Sequence, residues 1–323
     1  MNKNFWINKR VLITGFEGFL GSNLAKALLT TKAKVFGLDI KTYRKETILL
    51  PSDYNKMEVY KGSVANYKPL QEILHKHSIN IIFHLAAEAI VSRSQENPRS
   101  TFETNIAGTW EVLEAARQYS KIEALVVASS DKAYGSHKKL PYREEMPLMA
   151  NHPYDVSKSC ADLIAHAYVH TYGLPVAITR CGNVYGPGDF NFSRIIPDAI
   201  RCALTGKRLL IRSNGKFTRD YVYVDDIVNG YIVLAEKLEK LGLGGESFNF
   251  SDENPMTVLE LVNAVFKILK KRPNYKILDQ AKYEIKHQYL ASNKARKILR
   301  WRPRYSLEKG LHKTVEWITN CSI

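Results

Sequence analysis

Three consecutive polar side chains, a hydroxyl, a carboxylate and an ammonium, stand just after a predicted buried strand. The strand is the apolar run 122–127, and the side chains belong to Ser130, Asp131 and Lys132. Open α/β sheets place their binding and catalytic groups at the carboxyl ends of their strands. The segment therefore predicts an acid and a base acting on one bound molecule, although alone such a sequence is more often a capped turn.

A tyrosine and a lysine four residues apart form a second candidate pair. Tyr154 and Lys158 follow Pro153, a residue favoured at the start of a helix, and a helix places positions four apart on one face. An ammonium beside a phenol favours the phenolate, so we expect Lys158 to lower the pKa of Tyr154. The pair then supplies a base able to remove a proton from a hydroxyl near neutral pH. A solvated surface pair is the alternative interpretation.

The composition indicates a globular chain with a basic surface. The 323 residues are 45% hydrophobic, and 47 basic against 32 acidic residues give a formal net charge of +15. The basic residues are spread out and form no nucleic-acid-binding motif, so we expect an anionic small molecule as partner and no nucleic acid. The longest apolar runs are too short to cross a membrane, and residues 1–10 are too polar for a secretory signal. The four cysteines lack CxxC or metal-ligand spacing, which favours free thiols, a cytoplasmic location and no metal.

A glycine-rich turn between a predicted strand and a predicted helix is suited to a pyrophosphate. Gly15, Gly18 and Gly21 allow a tight turn and a close approach of the backbone, while the helix N-terminus points at the anion. The next predicted strand, 34–39, ends in Asp39, close to the distance at which an acid accepts the adenosine ribose hydroxyls. Because a carboxylate there repels a 2′-phosphate, the pattern predicts NAD and not NADP; an ordinary strand-ending acid is the alternative.

Predicted strands and helices alternate along the first part of the chain. Strands are expected at 10–14, 34–39, 58–61, 80–85, 122–128, 175–179 and 219–224, and helices at 67–77, 99–118, 153–172, 193–204, 225–237, 292–300 and 307–318, with a loop at 182–188. This alternation predicts an α/β fold, a Rossmann-type doubly wound parallel sheet with a smaller C-terminal substrate-binding lobe. We place an NAD-binding domain at 1–180, to which segments near 219–250 return, and a substrate-binding lobe at 181–323.

Five motifs stand in one order along the chain. They are TGxxGFLG from Thr14, HLAA from His84, Ser-Asp-Lys from Ser130, YxxxK from Tyr154 and NxYGPG from Asn183. Together they resemble the extended short-chain dehydrogenase/reductase superfamily, in particular its NAD-dependent nucleotide-sugar epimerases and dehydratases. The resemblance runs from residue 11 to about residue 317 and is specific in combination, although each motif alone is not.

The resemblance implies a role for each matching residue. Tyr154 would be the active-site base, Lys158 would bind the nicotinamide ribose, and Ser130 would hydrogen-bond the substrate O4. The residues implied to contact NAD are Gly15, Gly18, Phe19, Leu20, Gly21, Asp39, Ser63, Leu85, Ala86, Ala87, Tyr154 and Lys158. Those implied to contact a nucleotide-diphosphate sugar are Glu88, Asn183, Arg194, Ile211 and Arg219. Many relatives have Gly-Asp where this chain has Gly62-Ser63, so the adenine contact would come from a serine.

The two residues after Ser130 favour one reaction within this superfamily. Asp131-Lys132 resembles the dehydratases, which carry an acid and a second ionisable group there, and is similar above all to the CDP-glucose 4,6-dehydratases. Such an enzyme oxidises C4, loses water across C5 and C6 and returns the hydride to C6, which gives a 4-keto-6-deoxy sugar. Lys132 would take the C5 proton and Asp131 would protonate the departing C6 hydroxyl.

Several alternatives stay open at this point. UDP-N-acetylglucosamine is a substrate candidate beside CDP-glucose, and a nucleotide-sugar 4-epimerase would use the same tyrosine and NAD. A non-catalytic NAD-binding regulator is possible on the same fold. Asp131 and Lys132 would then merely pair with each other, although adjacent residues usually point to different sides.

The resemblance also implies a homodimer. The helices matching 99–118 and 153–172 commonly pair across a two-fold axis into a four-helix bundle in that superfamily. Trp110, Leu113, Tyr168 and Val169 offer apolar side chains for such a contact, with burial in the core as the alternative.

Overall fold

The computed structural model describes residues 2–281 and 284–321. The strands of this part of the chain are β1 Arg10–Thr14, β2 Lys34–Asp39, β3 Met57–Lys61, β4 Ile81–His84, β5 Ala124–Ala128, β6 Val176–Cys181, β7 Asn183–Tyr185, β8 Leu209–Ile211, β9 Thr218–Arg219, β10 Tyr221–Tyr223, β11 Ser247–Phe250, β12 Met256–Thr257, β13 Tyr275–Ile277 and β14 His287–Gln288. The α-helices are α1 Phe19–Leu28, α2 Pro51–Tyr54, α3 Tyr67–His77, α4 Val91–Glu96, α5 Pro98–Phe102, α6 Gly108–Tyr119, α7 Pro153–Tyr172, α8 Ile195–Thr205, α9 Val224–Lys237, α10 Val258–Ile268 and α11 Leu307–Asn320.

Within these ranges, seven strands form a central parallel sheet in the order β11-β6-β5-β4-β1-β2-β3. The order reverses at β1, because the chain first moves outward through β2 and β3 and then crosses to β4 on the other side. A doubly wound sheet of this kind leaves a crevice at the carboxyl ends of the strands. The predicted fold class, a Rossmann-type α/β sheet, is confirmed.

The central strands are apolar because helices cover both faces of the sheet. In β1, Val11 and Ile13 pack into one hydrophobic cluster with Leu24 of α1, while Leu12 points to the opposite cluster with Leu70 of α3. None of these five side chains is more than 1% exposed. Each contributes about 1.5–3 kcal/mol by burial, so the two layers fix β1 at the centre of the fold.

The first part of the chain follows the prediction closely. The bounds of β1, β2, α3 and α7 are those expected from the sequence. Pro153 occupies the first turn of α7, and Gly173 ends the helix in a left-handed conformation with φ +68°. The tyrosine and lysine of the second candidate pair therefore lie on a helix that begins and ends at residues suited to those places.

The predicted helix 99–118 consists of three segments. They are α5, a π-helical turn Glu103–Ala107 and α6. Asn105, in the π-helical turn, is buried and donates to the carbonyl of Glu88 at 3.1 Å and to Ser157 Oγ at 2.9 Å. The wider turn thus carries an amide that ties the loop after β4 to α7.

The loop predicted at 182–188 contains a strand. Its residues Asn183–Tyr185 form β7, which pairs in parallel with β10. Tyr185 and Tyr223, which end these strands, are both nearly buried, and their ring centroids lie 5.7 Å apart. The sequence predicted a loop because glycines flank these three residues, and a strand this short shows no clear apolar pattern.

The predicted strand 219–224 is interrupted and does not join the central sheet. Asp220 separates β9 from β10, and its buried carboxylate accepts hydrogen bonds from Ser251 and, at 3.3 Å, from the backbone of Leu290. The strand that returns to the sheet is β11, which pairs with β6. Of the segments expected to return near 219–250, 247–250 lies in the central sheet, whereas 219–224 does not, because its strands pair with β7, β12 and β14 instead.

The remaining strands form small sheets. β14 pairs in parallel and β12 antiparallel with β9, and β13 pairs in parallel with β8. The four cysteines are free thiols. No helix of the described residues has the length and apolar character needed to span a membrane.

Candidate active site

A cavity of about 1060 Å³ opens at the carboxyl edge of the central sheet. Loops after β1, β2, β4 and β5 form one side, and residues after position 180 form the other. Every residue predicted to bind NAD, every predicted catalytic residue and four of the five predicted substrate residues line this cavity. The sequence therefore identified side chains that the fold brings to one place.

Glu88 is the exception among the predicted site residues. It does not belong to the cavity lining. Its carboxylate accepts from the backbone N–H of Ile90 at 3.0 Å, and its own N–H donates to Asn105 Oδ1 at 2.8 Å. The prediction that Glu88 contacts the substrate is not supported by this geometry, because the π-helical turn holds the residue to one side.

The glycine-rich turn fits a dinucleotide pyrophosphate. Gly15 has φ +73°, and a Cβ there would lie 2.7 Å from the backbone of Ala86. A Cβ on Gly21 would lie 2.8 Å from Phe16 Cα, and Gly18 immediately precedes α1. Side chains at Gly15 and Gly21 would therefore collide with the backbone of the turn, and the three glycines line the cavity beside the start of α1, which suits a dinucleotide pyrophosphate.

Asp39, predicted to contact the adenosine ribose, pairs with an arginine. Asp39, which is 7% exposed, accepts from the Glu17 backbone at 3.2 Å and from Arg44 Nη2 at 3.0 Å. Arg44 also lines the cavity, and its Nε is buried without a hydrogen-bond partner among the described residues. The sequence did not reveal Arg44, because it follows Asp39 in a loop without periodic pattern. Ser63 lies in the same part of the cavity lining.

His84, the first residue of the HLAA motif, supports the site without facing it. Its ring nitrogens lie 2.8 Å from Thr14 Oγ1 and 3.1 Å from Thr109 Oγ1. Burial lowers the pKa of His84 to about 3, so the ring is neutral near pH 7. It fixes the strand end from which Leu85, Ala86 and Ala87 enter the cavity.

The candidate base Tyr154 stands beside Ser130 and above Lys158. Burial raises the pKa of Tyr154, and its interaction with Ser130, whose hydroxyl donates to Asp131 Oδ1 at 3.0 Å, opposes this rise. One turn of α7 further on, Lys158 Nζ donates to the carbonyl of Ala128 at 2.8 Å. Burial lowers the pKa of Lys158 to about 8. The three groups predicted to act together therefore meet where β5 ends and α7 begins.

The pKa of Tyr154 is raised overall, and not lowered as expected from the nearby Lys158. Burial raises the pKa of Tyr154 to about 12, and the groups that oppose this rise are Arg194 first and Ser130 second. The ammonium of Lys158 donates to the carbonyl of Ala128, and this contact limits its effect on the pKa of Tyr154.

Asp131 and Lys132 lie at the start of a short 3₁₀ helix, Asp131–Tyr134, capped by Ser130. Burial raises the pKa of Asp131, whose Oδ2 has no hydrogen-bond partner among the described residues. Burial also lowers the pKa of Lys132. Among the ion pairs of the described residues, none joins Asp131 to Lys132; the lysine Nζ instead donates to Gln288 Oε1 at 2.7 Å. An acid biased to hold its proton and an amine biased to lose one thus stand side by side.

Two further carboxyl groups near this pair were not recognised from the sequence. Burial raises the pKa of Asp155, next to Tyr154, to about 6, and its Oδ1 has no hydrogen-bond partner in the described part of the chain. Burial likewise raises the pKa of Asp220 to about 7. Asp155 was hidden because an acid in the first turn of a helix is common. Asp220 was hidden inside what the sequence indicated to be a strand.

Two arginines predicted to contact the substrate line the cavity, each near an acid, Asp189 or Glu284. Arg219 is 7% exposed and donates to the carbonyls of Thr218 at 2.9 Å and Lys286 at 3.2 Å. Arg194 lies 3.3 Å from Asp189 Oδ2, with its guanidinium 5.9 Å from the Phe19 ring centroid. Asn183 and Ile211 line the cavity between them. Two guanidinium groups beside an amide suit a diphosphate.

We searched the described residues for side chains that could bind a metal ion. No group of three His, Cys, Asp or Glu side chains among 2–281 and 284–321 is placed to hold a metal ion.

Comparisons with known proteins agree with this geometry. A family model described as GDP-mannose 4,6 dehydratase matches residues 12–314. The CDP-glucose 4,6-dehydratase of Salmonella typhimurium is 32% identical over 98% of this chain and 92% of that protein. The crystal structure of a Bacillus anthracis dTDP-glucose 4,6-dehydratase in complex with NAD is similar with a TM-score of 0.86 and 32% identity, over 97% of both chains. A Thermotoga maritima UDP-glucose 4-epimerase with UDP-glucose has a TM-score of 0.87 and 27% identity, over 97% of this chain and all of that one.

Fold and site together define a short-chain dehydrogenase/reductase of the extended type, with a glycine cradle for NAD at the centre of its sheet. The chain belongs to the GDP-mannose 4,6-dehydratase family. The predicted superfamily, the predicted cofactor NAD and the predicted enzyme class, NAD-dependent nucleotide-sugar 4,6-dehydratase, are confirmed at this level.

Proposed function

We propose that the protein dehydrates a nucleoside-diphosphate glucose to its 4-keto-6-deoxy derivative, with CDP-glucose as substrate. The observation that carries the proposal is the pair Asp131 and Lys132, which burial biases toward their neutral forms and which share one cavity with Tyr154. The similarity to the Salmonella typhimurium CDP-glucose 4,6-dehydratase over 98% of the chain supports the choice of nucleotide.

In this proposal the first step is removal of the proton from the sugar 4-hydroxyl by Tyr154. NAD, when bound, supplies the hydride acceptor at C4 and the hydride donor at C6. Ser130 and Arg194 favour the phenolate form, because both lower the pKa of Tyr154 against the effect of burial. Lys158 would hold the nicotinamide ribose at the foot of the same helix turn. The resulting C4 ketone acidifies the proton on C5.

The second step is loss of water across C5 and C6. Lys132, in its amine form, accepts the C5 proton, and the electron pair left on C5 expels the C6 hydroxyl. Asp131, in its carboxylic acid form, donates the proton that turns this hydroxyl into water. Hydride addition at C6 and return of a proton to C5 complete the product, so one water is lost and no net oxidation occurs.

The nucleotide would occupy the side of the cavity that the two arginines line. Arg219 and Arg194 face a diphosphate in this arrangement, and Asn183 contributes an amide donor. Ile211 would contact the nucleoside end. These roles follow from the positions of the residues in the cavity lining and from the motifs that they occupy.

A turnover assay with matched variants tests the proposal. CDP-glucose, dTDP-glucose, UDP-glucose and UDP-N-acetylglucosamine are incubated separately, and the 4-keto product is detected by its absorbance in alkali. CDP-glucose is expected to give product with the parent, while Asp131→Asn and Lys132→Ala each lose about 100-fold or more in turnover. Lys138→Ala, in the exposed loop after the 3₁₀ helix, is the control and keeps parental turnover. Equal turnover in all four proteins would contradict the assigned roles.

A 4-epimerase is the second candidate, because a UDP-glucose 4-epimerase has the same fold at a TM-score of 0.87. It would use Tyr154 and NAD but would return the hydride to C4, with the C6 oxygen retained. Asp131 and Lys132 would not be needed in that reaction, because no water is eliminated. Nuclear magnetic resonance of the product separates the two: a C6 methyl group supports dehydration, and an inverted C4 with an intact C6 hydroxymethyl supports epimerisation.

A non-catalytic NAD-binding regulator is the third possibility. It predicts NAD binding without turnover of any of the four nucleotide sugars. The clustering of Ser130, Tyr154 and Lys158 favours an enzyme, since a regulator needs none of these groups in reach of one another.

We also propose a homodimer in the cytoplasm. Exposed apolar side chains on α5, α6 and α7 supply the surface: Phe102, Trp110, Leu163 and Tyr172 are 36%, 43%, 60% and 54% exposed. Of the side chains expected there, Trp110 fits this surface and Tyr168 and Val169 are partly buried. Leu113 is fully buried, so its assignment to the interface is wrong. The free thiols are compatible with a reducing compartment.

A further inference from the structure

Gln288 holds the amine of Lys132 from a part of the chain far away in sequence. Lys132 Nζ donates to Gln288 Oε1 at 2.7 Å, across 156 positions of sequence. Gln288 is fully buried, although an amide side chain is rarely found without solvent contact. Its Nε2 has no hydrogen-bond partner among the described residues. Because a buried donor without a partner costs stability, packing alone does not explain a glutamine here.

The backbone around Gln288 is fixed on both sides. In the pairing of β14 with β9, Gln288 lies opposite Arg219. Ahead of it, the carbonyl of Lys286 accepts from the backbone of Thr218 at 2.9 Å. After it, the N–H of Leu290 donates to the Asp220 carboxylate at 3.3 Å. The backbone that carries Gln288 is therefore held in place, and its buried side chain meets Lys132 through the amide oxygen.

We propose that Gln288 is a positioning residue that aims the Lys132 amine at C5 of the sugar and, being uncharged, keeps that amine out of an ion pair. A carboxylate in the same place would hold the lysine just as firmly but would stabilise its ammonium form. An amide supplies the acceptor without the charge. The inference rests on the proposed dehydration, in which Lys132 removes the C5 proton.

Of the other charged groups that face Lys132, one lowers its pKa and three raise it. Arg219 on β9 lowers the pKa of Lys132, in the same sense as burial. Asp131 on its own turn, Asp155 on α7 and Glu284 ahead of β14 raise it. With three acids already nearby, a further carboxylate at position 288 is expected to move the titration of Lys132 upward, so the choice of an amide at this contact has a measurable effect.

Two substitutions of Gln288 distinguish its positioning of the Lys132 amine from the effect of its lack of charge. Gln288→Met has a similar length but no acceptor, and it is expected to lower kcat for dehydration about 10- to 100-fold at every pH, with KM and NAD affinity near parental values. Gln288→Glu keeps an acceptor and adds a charge. Lys132 must be neutral to act, and the added carboxylate favours its ammonium form. The kcat of Gln288→Glu is therefore expected to rise with pH about one pH unit or more to the alkaline side of the parental rise, and to approach the parental kcat at still higher pH.

The experiment compares both variants with the parent and with Gln118→Met, an exposed glutamine on α6 that carries the same substitution away from the cavity. Unfolding midpoints identify any variant that fails to fold. The titration of Lys132 is followed separately by nuclear magnetic resonance of labelled lysine, assigned with Lys132→Met. A higher titration midpoint in Gln288→Glu supports the inference whether or not the sugar is turned over.

Two results would overturn the inference. They are a folded Gln288→Met with parental kcat and pH profile, and a Gln288→Glu in which Lys132 titrates as it does in the parent. A parent protein that dehydrates none of the tested nucleotide sugars is a different failure, since it removes the proposed reaction itself while the lysine titration still reports on the contact with Gln288.

Discussion

At the scale of single residues, burial sets the chemistry of this site more strongly than direct pairing. Burial displaces both Asp131 and Lys132 toward their neutral forms, and this effect outweighs the attraction between their charges. Neutral acid and neutral amine are the forms that a water-elimination step needs. The short 3₁₀ helix after β5 produces this arrangement, because it separates two adjacent side chains by a third of a turn.

Tyr154 is predicted to be indispensable for turnover but not for cofactor binding. Tyr154→Phe removes the proton acceptor at the 4-hydroxyl, so kcat is expected to fall about 100- to 10,000-fold. NAD affinity is expected to stay within about threefold, because Tyr154 is only one of many groups implied to contact NAD, and the glycine-rich turn and Asp39 stay in place. Steady-state kinetics and NAD titration measure the two quantities. A variant that keeps more than a tenth of parental kcat would exclude Tyr154 as the base.

Asp155 is predicted to lower the stability of the fold above about pH 6. Its ordinary pKa of 3.8 is raised by burial to about 6, so between these values the folded protein holds a proton that the unfolded chain has lost. The stability that the protonated form confers is complete below about pH 4 and is lost as the pH rises through about 6. At pH 8, Asp155→Asn is expected to increase the free energy of unfolding by about 1–3 kcal/mol.

Denaturant unfolding of the parent and Asp155→Asn at pH 4 and pH 8 measures this difference. The gain is expected at pH 8 and is expected to vanish near pH 4, where the parental carboxyl group is already protonated. An equal gain at both values would show that the effect is packing and not ionisation.

At the scale of secondary structure elements, local sequence patterns were enough to predict the strands and helices of the first part of the chain, whereas those of the rest depend on long-range contacts. β1 and α7 could be predicted because their apolar periods and terminal glycine or proline agree with their packing. β7 and the break at Asp220 could not, since a three-residue strand and a buried carboxylate depend on partners 37 and 70 positions away. Gln288 and Arg44 reach the site for the same reason, through contacts that no periodic pattern displays.

Gly21 is predicted to be required for the nucleotide cradle at the start of α1. A Cβ at this position would lie 2.8 Å from Phe16 Cα, and the atoms that would have to move are backbone. Gly21→Ala is therefore expected to reduce the free energy of unfolding by about 1–3 kcal/mol and NAD affinity by about tenfold or more. Gly244→Ala is the control, because its Cβ would meet neighbours at 3.7 Å or beyond. Unchanged NAD affinity in a folded Gly21→Ala would contradict the placement of the pyrophosphate.

At the scale of the whole molecule, one sheet carries the cofactor site while β9 and β14 bring Arg219 and Gln288 to it from the other side. β11 returns to the sheet beside β6, so the part after residue 180 is joined to the first by shared strands as well as by the cavity. In the proposed reaction, substrate recognition and acid–base chemistry would thus come from different halves of the chain.

The apolar surface on α6 and α7 is predicted to be a dimer interface. The parent is expected to sediment as a dimer at micromolar concentration, and Leu163→Asp as a monomer, because a charge in the middle of an apolar contact is costly to bury. Leu241→Asp, at a position 46% exposed beyond α9, is expected to remain dimeric. A monomeric parent would refute the proposed interface.

The destination of the C4 hydrogen tests the central claim most directly. CDP-glucose carrying deuterium at C4 is incubated with the parent in ordinary water, and the product is examined by nuclear magnetic resonance. The account predicts deuterium in the C6 methyl group of a 4-keto-6-deoxy sugar, because the C4 hydrogen is transferred to C6 while Lys132 and Asp131 remove water. Deuterium recovered at C4, in a sugar that retains its C6 oxygen, would contradict it.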